Sequence, residues 1–470
     1  MKEPGAILLV ACYELGHQPL AVAWPAAFLE RAGYAPAVLD VSVEPFDPDK
    51  VARARLVAIS VPMHTALRLG AGVAASVRAA NPRCHIAFYG LYATLNADYL
   101  LAHAADSVLS GEVEHALVDL ARDLDRGAEE RGEGTGSTAS VVPKPRTRPR
   151  LPPVLQRLDF AVPSRAKLPV LKRYAHLEKN GRLELAAYVE ASRGCKHLCR
   201  HCPIPPVYGG RFFVVPEAVV LADVRQQVEA GATHVTFGDP DFLNGPGHAL
   251  RVARALHAEF PDLTFDFTAK IEHLLRHRDR LPELARLGSI FCVTAAESLS
   301  DTVLRHLAKG HTRADVVEAL HAVRAAGLAP RPTWVPFTPW STLDDYRDLL
   351  DFIERHELID AIDPVQYSIR LLVPPGSLLL ECSALTPHLG GLVEDAFHYR
   401  WTHPDPRMDR LAAAVAALVA EAADRREDPA ATFGRIGRLA DELAGAPPRP
   451  ALVLPAERLR PPRLTEPWFC

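Results

Sequence analysis

Leu183 to Cys202 reads LELAAYVEASRGCKHLCRHC. The apolar run from Leu183 to Val189 has the length and composition of a buried strand, and it opens directly into a loop carrying Cys195, Cys199 and Cys202. A CxxxCxxC spacing supplies three thiolates. A closed four-iron cluster or a structural zinc site takes four protein ligands, so three cysteines leave one metal corner free for a ligand that is not protein. The spacing therefore points to an iron–sulfur centre with an open position. The same residues also allow a zinc site completed by His197 or His201, or three unrelated buried thiols.

Outward from this loop, strand and helix signals repeat from Leu183 to Leu380 at intervals compatible with a partial (β/α)6 barrel, whose chemistry sits at the carboxyl ends of its strands. His234 to Phe237 leads into Gly238 Asp239 Pro240 Asp241 Phe242. Leu263 to Phe267 precedes Thr268 Ala269 Lys270, and Ser289 to Val293 precedes Thr294 to Ser298, with Glu297 among them. A fifth strand is expected over Arg331 to Phe337 and a sixth over Pro364 to Leu372. Gln366, Ser368 and Arg370 share one parity on that sixth strand. If their face is the barrel interior, Arg370 needs an anion there, either a ligand carboxylate or an acidic strand end.

The cysteine loop and the acidic second-strand end resemble those of the radical S-adenosylmethionine (SAM) enzymes. In that family three cysteines hold a [4Fe-4S] cluster, and SAM chelates the unique iron before it is cleaved to a 5′-deoxyadenosyl radical. The resemblance assigns Cys195, Cys199 and Cys202 to the metal. It assigns Gly238, Asp239 and Asp241 to the SAM amino group, Glu297 to the ribose hydroxyls and Lys309 to the SAM carboxylate. Arg370 is a further candidate for a SAM or substrate carboxylate. The family usually has an aromatic residue before the third cysteine, where this chain has His201. The resemblance also implies a small-molecule or peptide substrate and an electron donor such as a flavodoxin or ferredoxin.

Before the barrel, short apolar runs at Ala6 to Val10, Ala37 to Val41, Leu56 to Val61, His85 to Tyr89 and Ser107 to Leu109 alternate with helical patterns, the rhythm of a parallel α/β sheet. Residues 1–125 are expected to form a small Rossmann-like domain with its ligand crevice at the strand ends. Followed by a radical SAM core, this domain resembles the cobalamin-binding (B12-binding) type, and Gly111 Glu112 Val113 Glu114 fits that family's final loop. The first loop departs from the pattern. A cobalt-ligating Asp-x-His-x-x-Gly is expected there, and the chain reads Ala11 Cys12 Tyr13 Glu14 Leu15 Gly16 His17. Cobalamin held without that histidine, another ligand, or simple packing against the core all remain open.

Residues 126–153 gather Gly, Ser, Thr, Pro and alternating charge and read as a flexible linker; the core is expected over 154–382, a helical region over 383–446 and a proline-rich tail over 447–470. The tail ends Thr465 Glu466 Pro467 Trp468 Phe469 Cys470, similar to the start of a Cys-Cys-Ala-Glu-Pro or Cys-selenocysteine-Ala-Glu-Pro ending found on a group of radical SAM proteins and selenoproteins. That resemblance implies continuation through a selenocysteine codon; an ordinary end with a free thiol is the alternative. The chain has 470 residues, 48% of them hydrophobic, with a formal net charge of −4, so charge gives no reason to invoke nucleic acid. No apolar run approaches the roughly 18–20 residues of a membrane span. Eight cysteines, three of them clustered, suit a reducing, cytoplasmic setting. An iron–sulfur electron carrier or redox sensor and a zinc-stabilised binding protein stand as alternatives to the enzyme.

Overall fold

Ile7–Ala11 (β1) is apolar and buried at every position, as a parallel strand covered on both faces requires. The computed structural model describes residues 1–129, 153–450, 452, 455, 458 and 460–466. In it β1 pairs in parallel with Ala37–Asp40 (β2) and Leu56–Ser60 (β3), and His85–Tyr89 (β4) and Ser107–Leu109 (β5) complete a sheet of order β2-β1-β3-β4-β5. Every strand expected in this half of the chain is present, with its ends moved by at most one residue. Helices that include Leu20–Arg31 and His64–Ala80 connect these strands, and Glu114–Glu129 follows the last of them. The result is an open α/β domain whose loops gather at the carboxyl edge of the sheet.

The second sheet begins with a hairpin. His176–Lys179 (β6) and Arg182–Val189 (β7) are joined through Asn180 and Gly181, both at positive φ, as a two-residue turn between twisted strands demands. Ser192–Gly194 (β8) and Phe212–Val214 (β9) form a small antiparallel clasp around the cysteine loop. His234–Phe237 (β10), Thr264–Ala269 (β11), Ser289–Glu297 (β12) and Ala329–Trp334 (β13) then add to β7 in parallel, with helices between them. Leu389–Val393 (β14) and His398–Trp401 (β15) form a separate hairpin, and Arg463–Leu464 (β16) joins β6. The sheet order is β13-β12-β11-β10-β7-β6-β16, a half-barrel with its parallel carboxyl ends on one rim.

The expectation of a sixth strand over Pro364 to Leu372 is corrected. Pro364–Tyr367 is a turn of 3-10 helix, and one bridge, Phe337 to Arg370, stands in the sixth position. Pro364 cannot donate to a ladder, and the Gln366 side chain replaces one by accepting the backbone N–H of Trp334 at 3.0 Å. Arg370 accordingly lies outside the barrel, 2.8 Å from Asp409 and stacked 3.6 Å over the Trp401 ring.

The helical region expected over 383–446 is corrected in its first part, where Leu389–Val393 and His398–Trp401 form the β14–β15 hairpin; its helices are Pro406–Asp424 and Pro429–Ala444, each capped by an aspartate, Asp405 or Asp428. Their apolar faces, through Met408, Leu411, Phe433 and Ile436, share one continuous core with the barrel. Residues 130–152 of the expected linker and residues 467–470 of the tail, Cys470 included, lie outside the described residues. Among the described residues no helix is long and apolar enough to cross a membrane.

Candidate cluster and cofactor site

β7 delivers the chain to the rim at Val189, and the clasp of β8 and β9 turns it into the cysteine loop. Gly194 makes that turn possible. Its φ is +75°, and a Cβ there would lie 2.5 Å from the Arg211 carbonyl oxygen and 2.7 Å from the Tyr208 ring. Cys195 and Cys199 are buried, Cys202 is partly so, and all three are free thiols. Burial first, and the neighbouring thiols second, push Cys202 up to about 12, and burial likewise raises Cys195, whose neighbours include Cys199. The three sulfurs therefore share one electrostatic neighbourhood, an unfavourable one for free thiolates and a fitting one for thiolates neutralised by a metal.

Tetrahedral zinc, with bonds of about 2.0–2.3 Å, would draw its ligand atoms to within roughly 4 Å of one another. Among the described residues the only three or more His, Cys, Asp or Glu ligand atoms gathered within 4.8 Å belong to His197, Asp241 and His273. His197 and His201, the proposed completing ligands, are both engaged elsewhere. His197 lies 3.3 Å from Asp241 and 3.3 Å from the Lys270 ammonium, and His201 lies 3.3 Å from Glu297. The three thiols are not drawn together into such a group.

The acidic end of β10 is present as expected, and its side chains are spent on the loop. The Asp239 carboxylate accepts from the Ala191 backbone N–H at 2.9 Å and from the Ser192 hydroxyl, which ties β10 to the approach to Cys195. Burial holds this carboxyl up at about 7. Asp241 is 1% exposed and accepts from the backbone N–H of Leu243 and from His273 Nδ1 at 2.8 Å. Burial works to raise Asp241, but its two histidine partners prevail and its pKa is lowered. With Lys270 occupying the other nitrogen of His197, the group His197–Asp241–His273 is a hydrogen-bonded brace between the cysteine loop and two strand ends. Gly238 has a packing reason: a Cβ there would lie 2.3 Å from the Tyr188 ring.

Glu297 and Lys309, which the sequence assigned to separate groups of SAM, meet each other. Glu297 closes β12 with a φ of +66°, and its carboxylate accepts from Lys309 Nζ at 3.2 Å. Burial favours the neutral acid, yet Lys309 and His201 outweigh it and hold Glu297 at about 2. Burial opposes the Lys309 charge as well, and Glu297 together with the Cys199 and Cys202 thiols raises its pKa in spite of it. A permanent cation thus stands beside two of the three thiols. Arg370, the remaining candidate, is not brought to this site.

Residues 189–353 match the Radical SAM superfamily, and residues 6–121 match the B12 binding domain. The chain thus carries a B12-binding domain in front of a Radical SAM domain. It is 29% identical over 200 residues to tRNA-2-methylthio-N(6)-dimethylallyladenosine synthase of Desulfosudis oleivorans, covering 40% of this chain and 42% of that protein. It is 25% identical over 325 residues to hopanoid C-3 methylase of Methylococcus capsulatus, covering 66% of this chain and 59% of that one. The chain therefore spans less than two thirds of either relative. Among solved structures, the cobalamin-dependent SAM radical enzyme OxsB, with aqua-cobalamin and SAM bound, matches with a TM-score of 0.66 at 14% identity over 94% of this chain and 70% of that chain. The radical SAM methyltransferase TsrM of Kitasatospora setae, with cobalamin and a [4Fe-4S] cluster bound, gives 0.59 at 17% over 75% and 73%. At such identities the likeness is one of fold.

The B12-binding domain meets the cysteine loop through Arg193, a residue that motif reading passed over. Its guanidinium lies 2.8 Å from Glu112, 2.6 Å from Glu114 and 3.1 Å from Glu190, with the Trp24 ring 4.9 Å away. The Gly111–Glu114 loop is thereby clamped two residues from Cys195, and Tyr92, whose pKa is raised first by burial and next by Cys202, stands near that thiol. The fold suits cobalamin, but the described loops present no free imidazole for the cobalt. His17 is paired with Glu466 at 2.8 Å and stacked on Tyr188, and His64 is bonded to the Ala396 carbonyl. Glu14, in the place of the missing ligand loop, is raised to about 8 by burial first and by Glu190 and Asp40 next; its Oε1 is buried without a partner.

Proposed function

We propose that Cys195, Cys199 and Cys202 hold a [4Fe-4S] cluster with one iron open to SAM, and that the chain uses SAM cleavage to modify a small substrate. The observation that carries this reading is the set of three free thiols, two buried and one partly so, with no fourth ligand gathered to them among the described residues, at the carboxyl end of the first barrel strand and beside the Lys309–Glu297 pair. When bound, the cluster supplies the electron for reductive cleavage of SAM to a 5′-deoxyadenosyl radical, chemistry that amino-acid side chains do not provide.

The chain's own residues bind and orient. Lys309 offers its ammonium to the SAM carboxylate, and Glu297, held ionised, accepts hydrogen bonds from the ribose hydroxyls. Asp239 and Asp241 act at one remove, by fixing the cysteine loop, so the SAM ammonium is left to the backbone carbonyls around Gly238. Burial of Cys195 and Cys199, with the Arg193 clamp to the N-terminal domain, limits the access of water to the reacting centre. An external one-electron donor completes the scheme. Electron paramagnetic resonance of the anaerobically reconstituted, reduced protein tests it: a [4Fe-4S] signal that changes on adding SAM supports the reading, and a signal indifferent to SAM favours an electron carrier.

A second reading, cobalamin-dependent methyl transfer, is favoured by the B12-binding match and by the contact of that domain with the cysteine loop. Absorbance titration with hydroxocobalamin tests it. Stoichiometric binding supports methyl transfer; no binding leaves SAM cleavage without it.

A further inference from the structure

The open side of the half-barrel lies between its two edge strands, β13 and β16, at opposite ends of the sheet order. β16 is only two residues long, but it is held from both sides. Arg463 and Leu464 pair with Glu178 and Leu177 of β6, the Thr465 N–H donates to the His176 carbonyl at 2.8 Å, and the His176 N–H donates to the Thr465 hydroxyl at 2.9 Å. Arg463 then reaches across the opening. It meets Glu178 of β6 at 2.8 Å and one oxygen of Asp363 at 3.2 Å, while the other oxygen of Asp363 meets Arg331 of β13 at 2.9 Å. Glu178, Arg463, Asp363 and Arg331 make a row of alternating charge from one edge of the sheet to the other.

Direction matters as much as contact. β6 is antiparallel to β7 and β16 is antiparallel to β6, so the tail runs with β7 toward the rim that carries the cysteine loop. There Glu466 pairs with His17 of the B12-binding domain, and His17 stacks on Tyr188 at 4.5 Å. Behind this wall is a cavity of about 240 Å³, lined by Tyr188, Thr268 and Thr333 from the barrel and by Leu464 and Glu466 from the tail.

We propose that β16 is the closing wall of the substrate cavity, that Leu464 and Glu466 are specificity-determining residues in it, and that the substrate is a small metabolite taken in whole. The inference rests on the radical SAM reading for its reaction and on the geometry above for its site. A volume below the roughly 300–1,000 Å³ of pockets for drug-sized ligands admits a compact molecule, not a folded macromolecule's segment. The wall is held by charge pairs and one short ladder, so weakening them opens the barrel from the side.

The test places a reporter inside, Thr333→Cys, in the cluster-loaded full-length protein, and measures labelling at position 333 by a bulky maleimide with peptide mass spectrometry. Deletion of residues 463–470 and, separately, Arg463→Glu should each accelerate labelling at least tenfold. Leu464→Trp, which fills the cavity and leaves the charge row intact, should slow it at least threefold. Unchanged rates in the two opening variants, or in a Leu464→Trp protein with unaltered circular dichroism, overturn the proposal. Labelling requires no SAM cleavage, so its failure is distinguishable from failure of the radical SAM reading, which the cluster and cleavage assays decide.

Discussion

Replacing Lys309 with Met asks whether the Lys309–Glu297 pair is held in place by electrostatics or is incidental. The substitution keeps the apolar stem and removes the ammonium 3.2 Å from Glu297, a carboxylate only 8% exposed. Folding lowers Glu297 from an ordinary 4.5 to about 2. At 1.36 kcal/mol per pH unit this contributes about 3 kcal/mol of stability at neutral pH. The contribution is complete above pH 4.5 and lost as pH falls toward 2, because protonation then costs the folded state its pair. Lys309→Met should therefore cost about 3 kcal/mol at pH 7, the lower end of the range for stranding one partner of a buried ion pair. The double variant Lys309→Met/Glu297→Gln removes the stranded charge and should recover most of that, a coupling of about 2 kcal/mol or more. Urea unfolding of the metal-free protein under anaerobic conditions, followed by tryptophan fluorescence, reads both values. A single-variant loss below about 0.5 kcal/mol, the scale of an exposed pair, or a double variant no better than the single, would refute the reasoning.

Arg193→Gln leaves Glu112, Glu114 and Glu190 facing one another without their shared cation and should cost about 3–5 kcal/mol in the same unfolding assay, with Arg193→Lys recovering only part because one ammonium cannot serve three carboxylates in a fork. Asp239, raised by burial from 3.8 to about 7, makes the folded state bind a proton more tightly than the unfolded one, so its contribution to stability is full below pH 3.8 and lost as pH rises to about 7. Melting temperatures of Asp239→Asn across that window should vary less with pH than those of the parent. Gly238→Ala drives a methyl into the Tyr188 ring and should cost about 1–3 kcal/mol, with part regained by Tyr188→Leu in the same chain.

What the sequence made legible follows from how local each signal is. β4, β5 and β10 fall where runs of apolar, β-branched and aromatic residues put them, because burial on both faces leaves its mark within a few consecutive positions. The three thiols are legible for the same reason, since one loop carries them all. The sixth strand failed because alternation over Val365 to Leu372 does not reveal that Pro364 breaks the ladder or that Gln366 supplies the replacement hydrogen bond. Arg370 was drawn to the wrong face with it. Asp239 and Asp241 stand in the expected place, but their partners, Ser192, His197 and His273, come from other strand ends, and such long-range pairing is not written in spacing. Arg193 adjoins the cysteine motif and could have been suspected from three glutamates nearby in function, but two of those lie about eighty residues away in the chain. Glu466 of the tail meeting His17 of the first loop spans 449 positions and has no local signature at all.

The measurement that bears most directly on the account is quantification of 5′-deoxyadenosine by mass spectrometry after anaerobic reconstitution, with SAM and a strong reductant, beside a Cys199→Ala control. Formation that depends on reductant and disappears in the control is the predicted result; an intact cluster that leaves SAM uncleaved would contradict the account.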